Sequence, residues 1–143
     1  MFKTDIQKGD DNENRVLPII NEVFQTEFKK TQPFALFDFK DYKTRTELEV
    51  KSISYLYGET SEVMVGYNKI VYALKQIDKN WDMWLLFSLK DGDYLYNIRE
   101  ENTEWIRDYI GRSDRYNSKS SKYYWIPIEK LMKIEDQLIV VDI

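Results

Sequence analysis

Residues 33–53 carry the pattern of a β-hairpin, and no other stretch of this chain limits its fold as much. Residues 33–39, PFALFDF, form an apolar and aromatic run of strand length. The polar residues 40–45 read as the turn, and residues 46–53 then alternate polar and apolar. Leu48 and Val50 fall on the core side of this second strand, with Ile53 a further candidate for it, while Glu47, Glu49 and Lys51 share its other face. A turn centred near Lys43 and Thr44 makes residues whose numbers sum to about 87 face each other. Asp38 then faces Glu49, and Lys51 follows Glu49 on the same side, with Cβ atoms roughly 7 Å apart. Two carboxylates and an ammonium therefore converge on one face of one hairpin.

The flanking segments supply layers to cover it. Val16, Leu17, Ile20, Val23, Phe24 and Phe28 recur at three- and four-residue spacing. This predicts an amphipathic helix that starts near residues 10–12 and ends near Lys29 or Lys30. Residues 1–11 read as frayed, and Pro18 either opens the regular helix or kinks an earlier turn. Residues 61–79 return to a helical period, with Val63, Tyr67, Ile70, Leu74 and Ile77 in one stripe. Residues 84–89 are a buried-strand run, Asp91-Gly92 a turn signal, and 94–98 the return strand. Residues 104–110 predict one or two helical turns, and 111–122 a polar, basic loop. Residues 123–126 predict a short strand, 128–134 a helix opened by Pro127, and 138–143 an edge strand. The whole reads as α/β, one mixed β-sheet flanked by helices. The 143 residues, 43% of them hydrophobic, suit a single domain over 1–143.

The chain has no cysteine and no histidine. That excludes disulfides, thiolate and imidazole metal sites, and Ser-His or Cys-His catalysis. Hydrolytic chemistry here falls to carboxylates, lysines and a hard cation such as Mg²⁺, Ca²⁺ or Mn²⁺. Carboxylates as close as Asp38 and Glu49 repel unless a cation sits between them. Lys51 would then hold the attacking water or offset charge on a phosphate. No apolar run reaches the roughly 18 residues that span a bilayer. The start, MFKTDIQKGDDNEN, has no apolar signal region. A soluble, intracellular protein, cytoplasmic or nuclear and without a membrane partner, is expected. Net charge is −4, unevenly spread: residues 1–27 hold three Lys/Arg and six Asp/Glu, residues 105–133 seven and three. The basic stretch suits a phosphate-binding surface on an otherwise acidic protein.

Asp38, ten intervening residues and then Glu49-Val50-Lys51 resemble the motif of the PD-(D/E)XK nucleases. The superfamily includes restriction endonucleases, Holliday junction resolvases and recombination exonucleases. The resemblance covers roughly residues 12–89, where helix, hairpin, helix and strand follow in the family's order. It implies a restriction-endonuclease-like core and Mg²⁺-dependent cleavage of nucleic acid, DNA above all, with Mn²⁺ able to substitute. It further implies that Asp38, Glu49 and the Val50 carbonyl ligate the metal, and that Lys51 is the catalytic lysine. Many members add a glutamate from the first helix. Glu13 or Glu22 matches it, and Glu13-Asn-Arg-Val-Leu resembles the usual Glu-x-x-Val start. The proline that names the motif is absent, since Phe37 precedes Asp38. Asp41 is a rival to Asp38, but lies closer to the turn. By analogy with dimeric members, a homodimer would grip or cut duplex.

Further cations are candidate nucleic-acid contacts: Lys69 on the second helix, and Arg107, Arg112, Arg115 and Lys119 around the basic loop, where Tyr116 offers a stacking ring. An ordinary surface lysine beside a core tyrosine is the plainer account of Lys69. Most of the 22 aromatics, Phe34, Phe37, Trp84 and Phe87 among them, are expected in the core. Tyr94 and Tyr96 share a strand face that a helix would cover. Two rival functions stay open: a non-cutting nucleic-acid-binding relative, and a protein-interaction module that uses its aromatic sheet.

Overall fold

The computed structural model describes residues 5–100, 103–109 and 121–138, and it is a mixed α/β fold. Its hairpin is β2 (Phe39–Asp41) and β3 (Thr46–Ser52), preceded by the short edge strand β1 (Lys29–Lys30). The pairs Phe39↔Leu48, Lys40↔Glu47 and Asp41↔Thr46 each sum to 87, the register that the turn predicts. On its far edge β3 runs parallel to β5 (Asp82–Leu89). A two-residue turn, Lys90-Asp91, leads into β6 (Gly92–Asn97). Gly92 sits at φ 153°, a conformation that L side chains rarely adopt. With β9 (Met132–Lys133) the sheet has six strands in the order β1-β2-β3-β5-β6-β9. A second, three-stranded antiparallel sheet is formed by β4 (Glu62–Gly66), β7 (Ile106–Tyr109) and β8 (Ser121–Pro127), with β8 central.

Strand alternation gives the large sheet two apolar faces. Helix α1 (Asp5–Phe24) covers one, setting Val16 and Ile20 against Phe39, Leu48, Leu86 and Leu95. Helix α2 (Tyr67–Asp78) and the small sheet cover the other. There Ile70, Ala73, Val65 and Tyr124 meet Met83, Leu85 and Phe87. Each buried Val, Leu, Ile, Phe or Met side chain among them stabilises by about 1.5–3 kcal/mol. A polar tie fixes α1 as well: Arg15 donates to both Asp93 oxygens, at 2.9 and 2.7 Å. Burial alone would raise the Asp93 carboxyl, but the bonds from Arg15 and Ser88 hold it below its ordinary value. A short helix, α3 (Ile134–Leu138), packs Ile134 beneath α1.

Several expectations are corrected. α1 already runs from Asp5, so residues 5–11 are helical: once a helix is nucleated, each added residue costs little. Pro18 lies inside the helix at an exposed position, where water can satisfy the carbonyl its missing N–H leaves free. The helix stops at Phe24 because Gln25 turns left-handed at φ 55°, and Phe28 is buried from the loop beyond. Residues 33–38 are turns and bends rather than strand, and Phe34 is 99% exposed. Residues 62–66 are strand β4, since Val63 and Val65 alternate into the core against β8. Residues 106–109 are strand β7 after a single 3-10 turn. Residues 128–134 divide into a 3-10 turn, β9 and the start of α3. One sheet is expected from the sequence; the described residues form two. The small sheet, with α2, buries Tyr94 and Tyr96, where a helix alone was expected. Most of the basic loop and the segment after Leu138 lie outside the described residues. Among the described residues, no helix is long and apolar enough to cross a membrane.

Candidate functional site

The hairpin register extended by one pair brings Asp38 beside Glu49. Asp38 stands one residue ahead of β2, held from both sides. Its carbonyl accepts the Thr31 N–H at 2.9 Å, and its Oδ2 accepts the Val50 N–H at 2.8 Å. Asp41, the rival, faces Thr46 instead and accepts from the Thr44 hydroxyl at 2.7 Å. It is part of the turn.

Glu49 is buried at 7% exposure under α2. Lys69 of α2 donates to its Oε2 and, at 2.8 Å, to the Leu36 carbonyl. Glu49 Oε1 is buried, and among the described residues no donor reaches it. Burial, and then the neighbouring Asp38 carboxyl, push Glu49 up to about 8. The Lys69 ammonium pulls the other way and does not offset them. The ion pair is therefore the weaker influence on this carboxyl. The two acids sit close enough to hold one proton, or one cation, between them.

Lys51 follows on the same face of β3. Burial lowers its ammonium below the ordinary lysine value; Glu49 opposes that shift and Lys69 adds to it. Val50 turns its side chain into the α1 core and its N–H toward Asp38. An extended residue points its N–H and C=O to the same edge, so the Val50 carbonyl shares that edge. On α1, Glu13 is half-buried, and its carboxyl is raised first by burial and next by Asp38. Glu22 is exposed nine positions on, half a rotation around the helix. Of the two helix glutamates, Glu13 is the one that interacts with Asp38.

The remaining candidates separate. Lys69 belongs to the site, bound to Glu49. Its approach follows from α2 beginning at Tyr67, where Gly66 leaves room: a Cβ there would meet Asn68 Oδ1 at 2.8 Å. Arg107 pairs with Glu62 and lies 4.6 Å over the Trp125 ring. Across β8, Arg107 is level with Gly66, the residue before α2, but its guanidinium is taken by Glu62 at the opposite end of β4. Arg112, Arg115 and Lys119 lie outside the described residues. Sequence reasoning missed the neighbouring cluster, in which Tyr72 and Gln76 donate to Glu47.

Among the described residues, no group of three or more carboxylates closes around one point. Two carboxylates are nevertheless the usual protein share of a Mg²⁺ site, where waters and substrate phosphates complete the shell. The donorless buried Oε1 of Glu49 and the all-oxygen set around it fit a hard cation. No family model matches the sequence, and no curated protein matches it.

Proposed function

We propose that this protein is a divalent-metal-dependent nuclease of PD-(D/E)XK type, hydrolysing phosphodiester bonds of DNA. One observation carries the reading: Asp38 and Glu49 are held side by side with a buried, donorless oxygen, and Lys51 is on the same strand face. The succession of α1, hairpin, α2 and parallel β5 supports a restriction-endonuclease-like core. Asp38, Glu49 and the Val50 carbonyl would hold Mg²⁺ or Mn²⁺, with Glu13 nearby. The cation would polarise a phosphate oxygen and acidify water. Lys51, lowered by burial, is suited to take a proton from the attacking water or to donate to the phosphate. Lys69 donates to Glu49 in the metal-free protein and is free to meet a phosphate once a cation takes that oxygen. Arg107, Arg112, Arg115 and Lys119 would be further contacts to the backbone.

The test is cleavage of supercoiled plasmid, single-stranded DNA and branched DNA in Mg²⁺ or Mn²⁺, comparing wild type with Lys51→Ala and Asp38→Asn. Cleavage by wild type that both variants lose supports the assignment; cleavage that survives in both points to another site. The Lys69–Glu49 ion pair favours a second reading, a non-cutting relative in which Lys69 is the permanent counter-ion. That reading predicts no cleavage and no metal-dependent rise in melting temperature.

A further inference from the structure

The edge of the large sheet holds an unfavourable arrangement. β1 sets Lys29 directly opposite Lys40, and like charges in that position destabilise a strand pair. Among the described residues, neither lysine is in an ion pair. The Lys40 ammonium lies instead 4.8 Å from the centroids of both the Tyr42 and Trp81 rings. These two lysines, with Lys30 and Lys43, line a cavity of about 470 Å³, within the roughly 300–1,000 Å³ of ligand pockets. Three carboxylates also line it, but two lie beneath the surface with donors of their own. Glu47 is held by Tyr72 and Gln76, and Asp41 by Thr44. The solvent side is mostly ammonium.

Aromatic surface accompanies that charge. Tyr42 lines the cavity and is 74% exposed, and the fully exposed Phe34 adjoins the lining residue Ala35. Asp38, Glu49 and Lys51 are outside the lining. The two places are linked through Lys30, whose charge acts on Glu13, which in turn interacts with Asp38. A concave cationic surface with an exposed ring is how proteins hold unpaired strands, because each base presents a face to stack. Bases in duplex are already stacked on one another.

We infer that this cavity binds a single-stranded nucleic-acid segment, with phosphates on Lys29, Lys40 and Lys43 and a base on Tyr42. The inference rests on the nuclease reading and deepens it: the strand leading to the scissile bond is unpaired. The test is fluorescence anisotropy of oligothymidylate, of a duplex and of inorganic polyphosphate, in EDTA over a range of salt, with cleavage assayed in parallel. Wild type is expected to prefer the single strand. Lys29→Gln with Lys40→Gln should flatten the slope of log affinity against log salt by about 1.4, two contacts at about 0.7 each. Tyr42→Ala should weaken oligothymidylate about tenfold and leave polyphosphate unchanged. Lys29→Gln alone should melt no lower than wild type, since it relieves a like-charge pair. An unchanged salt slope, equal affinity for duplex, or no effect of Tyr42→Ala overturns the inference and leaves the lysines as guards of a sheet edge. Metal-dependent cleavage with an unchanged slope removes only the cleft. A lost slope without cleavage removes only the nuclease.

Discussion

Glu47 and Glu49 stand two residues apart on one face of β3, at 2% and 7% exposure. Their surroundings differ. Both Glu47 oxygens accept the Tyr72 hydroxyl at 2.9 Å, and one accepts the Gln76 amide at 2.8 Å. These are neutral donors from the middle and the last turn of α2. Glu49 has a second carboxyl beside it, an ammonium on one oxygen and no donor on the other. A satisfied network fixes a buried carboxylate and stabilises the helix over it. An unsatisfied one gives up stability and leaves the carboxylate available to another partner. One end of β3 thus anchors α2, and the other end holds the proposed metal site.

Exchanging the two ends by mutation gives the largest expected effects. Glu49→Gln should reduce metal-dependent cleavage roughly a thousandfold, about 4 kcal/mol of transition-state stabilisation, while leaving the fold intact. Glu47→Gln should leave cleavage near wild type and cost about 2 kcal/mol of stability, because its new NH₂ meets groups that are themselves donors. Plasmid cleavage and urea unfolding measured on both variants decide it. Activity lost from the Glu47 variant and kept by the Glu49 variant would reverse the assignment of the two ends.

Protonation sharpens the same contrast. Glu49 shifts from 4.5 to about 8 in the folded protein. Folding therefore takes up a proton there between these values. The stabilisation is complete below the unfolded value and is lost as pH rises through the folded one. Metal-free protein should lose on the order of 3 kcal/mol from this group between pH 5 and pH 8. Glu49→Gln should lack that part of the slope. Mg²⁺ should restore stability most at the alkaline end, where it no longer competes with the proton. Thermal melts at several pH values, with and without Mg²⁺, measure all three. Equal slopes in wild type and variant would show that Glu49 ionises like an ordinary carboxyl.

The hairpin register is legible in sequence because one tight polar turn sets it, and Asp38 opposite Glu49 follows. The extent of β2 is not legible. Residues 33–37 are apolar, yet Phe34 and Leu36 are exposed, and apolar composition alone does not imply burial. Val63 belongs to two patterns, a helical stripe ending at Ile77 and an alternation with Val65. The second prevails because β8, far along the chain, pairs with that segment. A local window contains no trace of β8. The start of α2 was misplaced for the same reason, which hid the approach of Lys69 to Glu49. Tyr72 and Gln76, one helical turn apart, look like an ordinary polar edge until Glu47 is seen beneath them.

Lys69 tests whether the reactive end is a metal site or a settled ion pair. Lys69→Met removes the ammonium that competes for Glu49, and tighter Mg²⁺ binding by about tenfold is expected from relieving that competition. The cost is the Leu36 carbonyl contact and the ion pair, together about 1–2 kcal/mol without metal. Calorimetric titration with Mg²⁺ reads the first and urea unfolding the second. Destabilisation with no metal binding in either protein would make Lys69 a permanent counter-ion, and the two ends of β3 would then both be structural.

The smallest change probes the anchoring end alone. Tyr72→Phe removes one hydroxyl, leaves the ring against Phe37 at 5.6 Å and keeps the Gln76 bond to Glu47. The loss should be about 1.5 kcal/mol, one hydrogen bond to a charged group. Cleavage and its pH profile should not move, because no Tyr72 contact reaches Asp38, Glu49 or Lys51 among the bonds that hold it. A shifted pH profile would mean that Glu47 and Glu49 titrate together, and β3 would then carry one coupled carboxylate system rather than an anchor beside a reactive pair.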